Sequence, residues 1–333
     1  MQAQAKNVGI VGIGSALPEK IITNQDLEKI VNTSDEWIKT RTGISQRRIA
    51  NEETATSDLA LAAARKALDR AGILPEELDL IIVATATPDM AFPSTACLVQ
   101  AGLEAKNAAA FDLGAACSGF LYGLAVGQQF IANGSLKTVL VIGAETMSKV
   151  TDWSDRNTCV LFGDGAGACI LRTVAADKGI LSVYMGSDGK GGDLLFVPAG
   201  GSRLPTSDKT VAEKLHYIHM QGAEVFKFAV RIMGEAAVEA LSRSGLSAQD
   251  VDYLVPHQAN LRIIEAARRR LGLSMDQVII NLDRYGNMSA ASIPVALDEA
   301  VTTGRIKDGD TLVLVGFGAG LTWGSAVIRW GVE

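Results

Sequence analysis

Residues 63–83 read AARKALDRAGILPEELDLIIV, and residues 236–256 repeat the same pattern as AAVEALSRSGLSAQDVDYLVP. Each stretch has the apolar spacing of a helix, then a glycine that ends the helix, a short loop and an apolar run typical of a buried strand. Identical residues recur 173 positions apart at Ala67/Ala240, Leu68/Leu241, Arg70/Arg243, Gly72/Gly245 and Asp79/Asp252. The chain is therefore predicted to contain an internal duplication of a helix–strand unit.

A second repeated segment follows each copy in the same order. Residues 134–137 (GSLK) and 304–307 (GRIK) lie 170 positions apart, and an apolar strand ending in glycine follows each of them. Strands that alternate with helices favour an α/β fold with mixed sheets. Two similar halves, residues 1–174 and 175–333, are expected to pack around a pseudo-twofold axis, with their boundary in the polar interval 172–178.

The composition of the chain argues against several classes of protein. Its 333 residues are 48% hydrophobic and 20% charged, which is typical of a globular protein. A net charge of -6 argues against nucleic acid as the main partner. The four cysteines form no C-x-x-C pair, which argues against a zinc site or a disulfide framework and favours a reducing, cytoplasmic location. The longest apolar runs have only strand length and no basic leader precedes them, so neither a membrane span nor a secretory signal is expected.

Cys117 is the first candidate for a chemical role. It lies in the sequence GAACSGF (residues 114–120), between an apolar run typical of a strand and an apolar helical pattern. A thiol at the start of a helix faces unpaired N–H groups and the positive end of the helix dipole, so its pKa is expected to be lowered toward the thiolate. Most cysteines are instead small core hydrophobes, and Cys97, Cys159 and Cys169 are expected to be such residues.

Two polar residues in the second half are candidate partners of Cys117. His257 follows the predicted strand 253–255. Asn287 lies 170 positions after Cys117, so these two residues are expected to correspond and to begin equivalent helices near the pseudo-axis. Ligands of open α/β sheets bind at the carboxyl ends of strands, where all three residues are expected. Without a chemical role, the histidine would be a satisfied residue at a strand end and the asparagine a left-handed turn residue.

Several short motifs occur in order along nearly the whole chain. They are SDEWI (34–38) with TRTGI (40–44), AFPS (91–94), AACSGF (115–120), FGDGAG (162–167), VPHQANLR (255–262), GN (286–287), SAAS (289–292) and GFGAG (316–320) before TWG (322–324). With these motifs the chain resembles the thiolase-fold condensing enzymes, and most closely β-ketoacyl-acyl-carrier-protein synthase III. The resemblance implies a five-layered αβαβα fold, a homodimer, and acyl transfer followed by decarboxylative condensation. The chain departs from the family at Met288, where threonine is usual, and at Asn157 and Ala319, where glycine is common.

The resemblance implies a reaction in two halves, and it implies no bound metal or redox cofactor. The Cys117 thiolate attacks the thioester of an acyl-CoA, with acetyl-CoA as the expected primer, and CoA leaves. Malonyl-acyl-carrier protein then loses CO2, and its enolate attacks the acyl-cysteine. The backbone N–H groups of Cys117 and Ala319 are implied as the oxyanion hole for the acyl group. His257 and Asn287 are implied as hydrogen-bond donors to the malonyl oxygen, and Phe317 as a screen against water.

The same resemblance assigns binding positions. Trp37 and Arg156 match residues on either side of the CoA adenine, and Arg41 lies near them for the phosphates. The other assigned positions are Asn260 and Arg262 in the pantetheine channel, and Phe92 at the acyl pocket and dimer contact.

Arginines cluster on one predicted helix of this acidic chain. Arg262, Arg268 and Arg269 lie on it, and the first and last of these share a face at seven-residue spacing. Acyl-carrier proteins are acidic, so these arginines, together with Lys227, are candidates for a surface that docks the carrier protein. A charge run of this kind is otherwise a solvated helix face with salt bridges.

Three other functions fit parts of the sequence. The segment VGIVGIGSAL (residues 8–17) contains the G-x-G of dinucleotide-binding oxidoreductases, but it lacks the third glycine and a proline follows it. A type III polyketide synthase also uses cysteine, histidine and asparagine and extends its product with malonyl-CoA, but the Trp37/Arg41 motif favours synthase III. A non-catalytic acyl- or CoA-binding relative is the third alternative, and the intact set of cysteine, histidine and asparagine argues against it.

Overall fold

The structure, a computed structural model of the chain, describes residues 6–332. Within this range it contains thirteen strands and eleven helices. The strands are β1 Val8–Ala16, β2 Ile21–Thr23, β3 Gln46–Arg48, β4 Leu80–Ala84, β5 Ala109–Leu113, β6 Val139–Thr146, β7 Asp164–Thr173, β8 Gly179–Ser187, β9 Leu195–Phe196, β10 His219–Met220, β11 Tyr253–Pro256, β12 Thr311–Gly318 and β13 Thr322–Arg329. The helices are α1 Asn24–Glu28, α2 Asp35–Thr42, α3 Thr56–Ala71, α4 Thr95–Leu103, α5 Gly119–Ala132, α6 Arg156–Cys159, α7 Asp208–Ala212, α8 Gly222–Ser244, α9 Leu261–Leu271, α10 Leu282–Tyr285 and α11 Ser292–Thr302.

Two mixed sheets have matching strand orders. The first sheet has the order β1-β7-β6-β4-β5, and the second has the order β8-β13-β12-β11. Strands that correspond in the repeated sequence occupy the same place in both sheets, and the counterpart of β5 is reduced to a single bridge between Leu254 and Val278. The predicted duplication is therefore present in the structure. Residues 174–178 connect the last strand of the first sheet in the chain to the first strand of the second.

Helices lie between the two sheets and on both outer faces. The central helix α5 contacts β4, β6 and β7 of the first sheet and β8, β12 and β13 of the second, and α11 lies beside it against β1, β7 and β11. On the outer face of the first sheet, α3 packs on β1, β6 and β7, next to α4. On the outer face of the second sheet, α8 packs on β8, β12 and β13, next to α9. The predicted five-layered αβαβα fold is confirmed.

The central helix α5 is mainly apolar because most of its length is buried between the two sheets. It contains no charged residue, and its glycines allow a close approach to the first sheet. A Cβ on Gly123, for example, would lie 2.7 Å from Cγ1 of Val141. Each methylene group buried in such a layer contributes about 0.8 kcal/mol to stability. The start of α5, next to Cys117, is thereby held in the middle of the molecule.

The correspondence between the two halves differs from the prediction at the central helices. A one-turn 3-10 helix precedes each of them, beginning at Ala116 before α5 and at Ser289 before α11. These two residues lie 173 positions apart and both have positive φ, +46° and +47°. Cys117 therefore corresponds to Ala290, and its predicted correspondence to Asn287 is wrong. The reason is that α11 has 11 residues and α5 has 14, so the 170-residue spacing applies only after these helices.

Candidate active site

Cys117 lies in the turn between β5 and α5, where the two halves meet, and its side chain is buried. The end of β12, which belongs to the second half, touches this turn. The contact requires a glycine at position 318, because a Cβ on Gly318 would lie 2.5 Å from the backbone nitrogen of Cys117. A strand end of one half therefore encloses the candidate nucleophile of the other.

The electrostatic surroundings of Cys117 differ from the prediction. Burial raises the pKa of its thiol to about 12; a hydrogen bond with Ser289 acts against this rise, and the negative charge of Glu145 adds to it. The predicted lowering of the pKa is wrong for the resting site, because burial is the dominant influence and no neighbour in residues 6–332 supplies a positive charge. The thiol is thus protonated near pH 7, and a role as nucleophile requires that it lose this proton.

His257 follows β11 directly, as the sequence predicts. Its backbone N–H donates to the carbonyl of Val315 (2.7 Å), and its ring lies edge-on to Phe317 with 5.8 Å between ring centroids. Burial lowers the pKa of His257 to about 3, so the imidazole is neutral near pH 7. Its Nδ1 has no hydrogen-bond partner among residues 6–332. A neutral imidazole carries one ring hydrogen, so it can donate a hydrogen bond to a substrate oxygen.

Asn287 is held by its backbone and by one side of its carboxamide. Its N–H donates to the carbonyl of Leu161 (2.9 Å), and its own carbonyl accepts from the N–H of Gly163 (3.0 Å). The side-chain Oδ1 accepts from the backbone N–H of Ser289 at 2.9 Å. This arrangement leaves the Nδ2 hydrogens as the donors that a ligand can use.

None of the three departures from the family removes a side chain that takes part in the expected reaction. The Met288 side chain is fully buried in a small apolar cluster with Ala291 and Val295. Ala319 does not have a positive φ, so its methyl group adds no backbone strain at this position. Asn157 is exposed, and its side chain bonds to Asp155.

Two cavities meet at Cys117. The first, of about 110 Å³, is lined by Cys117 together with His257, Asn287 and Phe317. The second, of about 250 Å³, extends beyond the thiol and is mainly apolar. Its lining includes Cys117, Ala319, Met147, Val150, Phe162 and Ile218. The structure thus brings together the cysteine, histidine and asparagine that the sequence singled out, and it places an apolar chamber beside the thiol.

A surface opening leads to these cavities. A wide cavity of about 680 Å³ is lined by Trp37, Arg41 and Arg262, and it shares lining residues such as Met220 and Phe226 with the cavity that contains Cys117. The shared lining makes them successive parts of one passage. Two guanidinium groups lie over the ring of Trp37. The Cζ atom of Arg156 is 4.9 Å from the centroid of this ring, and the Cζ atom of Arg41 is 5.8 Å from it.

Two of the predicted binding residues, Asn260 and Arg268, form hydrogen bonds at the ends of α9. Asn260 lines the passage, but its side chain caps α9 by accepting from the N–H of Arg262 and donates to the carbonyl of Arg41. Arg268 is half-buried and donates to the carbonyl of Leu273, which closes the end of α9. One nitrogen of its guanidinium is thus used at the end of its own helix, and a role of Arg268 in docking the carrier protein stays a prediction.

The remaining cationic candidates are exposed. Lys227 and Arg262 both line the mouth of the passage. Arg269 forms an ion pair with Glu265 at 3.6 Å, and 61% of its side-chain surface is exposed. Seven residues of helix separate Arg269 from Arg262, which is about 10 Å along the axis of α9.

The other cysteines divide into two groups. Cys159 and Cys169 are fully buried, as predicted, but Cys97 is exposed, so its prediction as a core residue is wrong. The reason is that Cys97 lies near the free edge of β5, with its Sγ 3.8 Å from the carbonyl of Ala110.

Sequence reasoning missed two polar residues beside the thiol, Ser289 and Glu145. Ser289 is part of the quoted SAAS motif, and its hydroxyl donates to the carboxylate of Glu145 at 2.8 Å. Glu145 is fully buried near the end of β6. The signal in the sequence is an acidic residue that directly continues the apolar run VLVIGA (residues 139–144), since a charged group at such a position needs buried partners.

The glycines near the N-terminus do not form a nucleotide-binding turn. They lie inside β1, where residues 12–16 pair with β7. A Cβ on Gly12 would lie 2.4 Å from the carbonyl oxygen of Ala67, so this glycine allows α3 to pack on the strand. In the part of the chain that the structure describes, no helix is both long and apolar enough to cross a membrane, and no group of three acidic, histidine or cysteine side chains is arranged to hold a metal.

Comparison with known proteins agrees with this geometry. Residues 111–189 match the family described as 3-oxoacyl-[acyl-carrier-protein (ACP)] synthase III, and residues 241–330 match its C-terminal part. The β-ketoacyl-[acyl-carrier-protein] synthase III of Caldanaerobacter subterraneus subsp. tengcongensis is 63% identical over 322 residues, which cover 97% of each chain. The crystal structure of 3-oxoacyl-[acyl-carrier-protein] synthase III from Aquifex aeolicus superposes with a TM-score of 0.90 at 49% identity, covering 97% of this chain and 100% of that one. The corresponding enzyme from Thermus thermophilus gives a TM-score of 0.91 at 50% identity, covering 98% and 100%. The chain belongs to the β-ketoacyl-[acyl-carrier-protein] synthase III family of acyl-transferring condensing enzymes.

Proposed function

We propose that this enzyme transfers an acyl group from an acyl-CoA, with acetyl-CoA as primer, to Cys117 and condenses it with malonyl-acyl-carrier protein to start fatty acid synthesis. The products are CoA, CO2 and a 3-oxoacyl-carrier protein. The observation that carries the proposal is the passage from the opening at Trp37 to a buried thiol flanked by His257 and Asn287. It suits a long, flexible thioester whose reacting end must reach an enclosed nucleophile.

The first half-reaction forms a thioester on Cys117. As its sulfur attacks the acyl carbonyl, negative charge develops on the carbonyl oxygen, and the backbone N–H groups of Cys117 and Ala319 are the proposed donors to that oxygen. The chamber that Cys117 and Ala319 both line would receive the acyl chain. CoA then leaves as a thiolate, which is a good leaving group.

The second half-reaction uses the neutral donors. When the malonyl thioester loses CO2, the electron pair moves onto the thioester oxygen and forms an enolate. His257, neutral because burial lowers its pKa, and the Nδ2 of Asn287 would both donate to that oxygen. One such donor is typically worth about 3 kcal/mol of barrier. The step needs no strong base and no change of oxidation state, so the proposed chemistry requires neither a metal nor a redox cofactor.

The CoA nucleotide would bind at the mouth of the passage. Arg156 now stacks on the Trp37 ring at 4.9 Å. Adenine binding between these two side chains would separate them, with Arg41 close enough to meet a phosphate. The contact between Arg156 and Trp37 that would be lost is worth about 0.5–1 kcal/mol, the usual value for a cation over an aromatic ring at an exposed site. Stacking of the adenine between the two side chains has to contribute more than this.

The carrier protein would dock on the cationic surface beside the mouth. We define this docking surface by Arg262, Arg269 and Lys227, all of which are exposed. Lys227 pairs with Glu224 and Arg269 with Glu265, so an acidic partner has to compete with these exposed ion pairs. Exposed pairs are worth only about 0.2–1 kcal/mol, which makes that competition inexpensive.

A second copy of the chain would cover the free edge of β5. In residues 6–332 this strand pairs only with β4, and its side chain Phe111 is partly exposed. Phe92 lies on the same half and is 84% exposed, which is unusual for an aromatic side chain without a partner. Unpaired strand edges with apolar side chains are sites of strand pairing between chains. The proposed homodimer would bury both residues, with Phe92 at the acyl pocket of the partner. The four cysteines are unpaired, which supports a cytoplasmic location for this assembly.

Purified enzyme tested with both malonyl donors separates this function from that of a type III polyketide synthase. After acetylation by acetyl-CoA, we expect malonyl-acyl-carrier protein to discharge the acyl-enzyme with release of CO2 and formation of a 3-oxoacyl-carrier protein. Malonyl-CoA in place of the carrier protein is expected to react far more slowly. Equal or faster turnover with malonyl-CoA would contradict the carrier-dependent function and favour the polyketide-type reaction.

A further inference from the structure

Arg47, on β3, is a charged residue that the reaction described above does not use. Its side chain has no exposed surface. Burial lowers the pKa of its guanidinium to about 10, so the group is still charged near pH 7. None of the ion pairs formed within residues 6–332 includes Arg47. A buried charge is costly unless polar groups surround it, so the carbonyl groups around this guanidinium have to hold it.

The guanidinium joins two separate parts of the chain by hydrogen bonds. Its Nη1 donates to the backbone carbonyl of Ile22 (3.2 Å) and to Oδ1 of Asn24 (2.9 Å), and its Nη2 donates to the backbone carbonyl of Val160 (2.8 Å). Ile22 lies on β2 and Asn24 begins α1, whereas Val160 directly follows α6. A planar guanidinium holds its donors at fixed angles, which a flexible ammonium group does not. The side chain therefore fixes α6 relative to β2 and α1.

On one side, these bonds lead to the helix that carries Trp37. The fully buried side chain of Asn24 donates through Nδ2 to the carboxylate of Asp35 (2.9 Å) and to the backbone carbonyl of Ile44 (2.8 Å). Asp35 is the first residue of α2, and Ile44 follows the glycine that ends it, so both ends of α2 are held. Trp37 lies on α2 and Arg156 begins α6. The guanidinium thus links the two helices whose side chains stack at the mouth of the passage.

On the other side, the bonds lead to Asn287. Leu161, the residue after Val160, accepts a hydrogen bond from the backbone N–H of Asn287 at 2.9 Å. The stem of Arg47 also packs on the residue before Asn287, because a Cβ added to Gly286 would lie 3.2 Å from the Cβ of Arg47. The backbone at Asn287 is therefore held by a hydrogen bond one residue away and by a direct packing contact.

We propose that Arg47 is a positioning residue that holds the two CoA-binding helices and the segment of Asn287 in one arrangement. This inference rests on the proposed function. Within the described part of the chain, the linings of the three cavities of the passage do not include Arg47, so it acts through the groups that it holds. Trp37 and Arg156 keep the spacing that an adenine needs, and the carboxamide of Asn287 keeps its direction toward the malonyl oxygen.

The chemistry of this side chain distinguishes alignment from simple packing. Replacing buried ionic groups by well-packed apolar side chains is often neutral or stabilising, so filling the space beside β3 does not require an arginine. The Nε of Arg47 has no hydrogen-bond partner in residues 6–332, whereas both Nη atoms are bonded. The bonds come from the end of the side chain, where one rigid group reaches both parts of the chain.

The test measures two quantities in Arg47→Lys: the KM for acetyl-CoA in acyl-enzyme formation, and the rate at which preformed acyl-enzyme releases CO2 from malonyl-acyl-carrier protein. Lysine keeps the charge and a long stem but lacks the planar fork, so it cannot keep the bonds to both Asn24 and Val160. We expect the KM to rise and CO2 release to slow, each by about 10- to 100-fold, because a displacement of about 1 Å caused far from the reacting atoms can reduce a rate by about 100-fold.

Arg48→Lys is the matched control. Arg48 is the next residue of β3, and its guanidinium donates to the backbone carbonyls of Pro18 and Glu19, which belong to neither CoA-binding helix. This variant should keep the wild-type KM and the wild-type rate of CO2 release, whatever its stability in urea unfolding. Acetyl-pantetheine, a thioester that lacks the nucleotide, should acetylate Arg47→Lys at the wild-type rate, since the network does not hold Cys117.

Asn24→Asp separates the two branches of the network. The aspartate keeps an acceptor for Arg47, but it cannot donate to Asp35 and repels its carboxylate. The KM for acetyl-CoA should therefore rise in this variant, while CO2 release stays near the wild-type rate.

The proposal is overturned if folded Arg47→Lys keeps both wild-type values, as Arg48→Lys does, or if acetyl-pantetheine and acetyl-CoA are slowed equally. It is also overturned if Asn24→Asp has an unchanged KM for acetyl-CoA or slows CO2 release as strongly as it raises this KM, and these results decide the matter even if Arg47→Lys does not fold. A wild-type enzyme that acquires no acetyl group from acetyl-CoA would instead refute the proposed function itself.

Discussion

Asn287→Ala should block the second half-reaction and spare the first. The substitution removes the Nδ2 donor to the enolate oxygen, which should slow release of CO2 from malonyl-acyl-carrier protein by about 100- to 1,000-fold, or about 3–4 kcal/mol. It also removes the Oδ1 acceptor of the Ser289 N–H, a buried group that is 1% exposed. An unsatisfied buried N–H costs about 1–3 kcal/mol, so the free energy of unfolding should fall by that amount.

Asn287→Asp separates these two effects. The carboxylate keeps an acceptor for the Ser289 N–H but has no hydrogen to donate, so this variant should retain more stability and still lose condensation. Acyl-enzyme formation is followed by intact-protein mass spectrometry, CO2 release with labelled malonyl-carrier protein, and stability by urea unfolding. Both variants should form the acyl-enzyme. Normal CO2 release in Asn287→Ala, or loss of acylation and condensation to the same degree in both variants, would refute the assigned role.

Three further outcomes are expected. Arg269→Glu should raise the KM for malonyl-acyl-carrier protein and flatten the dependence of this KM on salt, since screening shortens the reach of charge from about 10 Å at 0.1 M to about 3 Å at 1 M. Acetylation should be unchanged. Arg243→Glu, at a position about 24 Å further along α8 than Lys227, is the control, and an equal effect of this variant would remove the docking role. Burial lowers the pKa of His257 to about 3, so below pH 6.5 the unfolded chain binds a proton that the folded chain does not. The free energy of unfolding should therefore fall below pH 6.5 by up to about 1.4 kcal/mol per pH unit, and His257→Gln should lessen that slope in urea unfolding. Phe92→Asp should weaken the proposed dimer and increase the monomer fraction in light scattering, whereas a wild-type enzyme that is monomeric at micromolar concentration would contradict the interface.

Much of the fold could be predicted from the repeated sequence. The helix, glycine stop and strand around Gly72 recur around Gly245, and both glycines end helices with positive φ in the structure. The exact pairing of the central helices could not be predicted, because α11 is three residues shorter than α5 and the spacing changes from 173 to 170 inside these helices.

The candidate site was only partly predictable for a different reason. Cys117, His257 and Asn287 stand in short motifs after predicted strands, where the residue types alone indicate chemistry. The protonation state of the thiol depends on how deeply the turn is buried, which local sequence does not state. Glu145 was missed because its hydrogen bond with Ser289, which lines the same cavity as the thiol, joins residues 144 positions apart in the chain.

The most direct test of the proposed function is to map the acetyl group on the enzyme and then discharge it. Wild-type enzyme is incubated with acetyl-CoA, digested and analysed by mass spectrometry, and a second portion is treated with malonyl-acyl-carrier protein. We expect one acetyl group on the peptide that contains Cys117, none in Cys117→Ser, and its transfer to a 3-oxoacyl-carrier protein with release of CO2. Acetylation at Cys97, Cys159 or Cys169, or a label on Cys117 that the malonyl carrier does not discharge, would contradict the account.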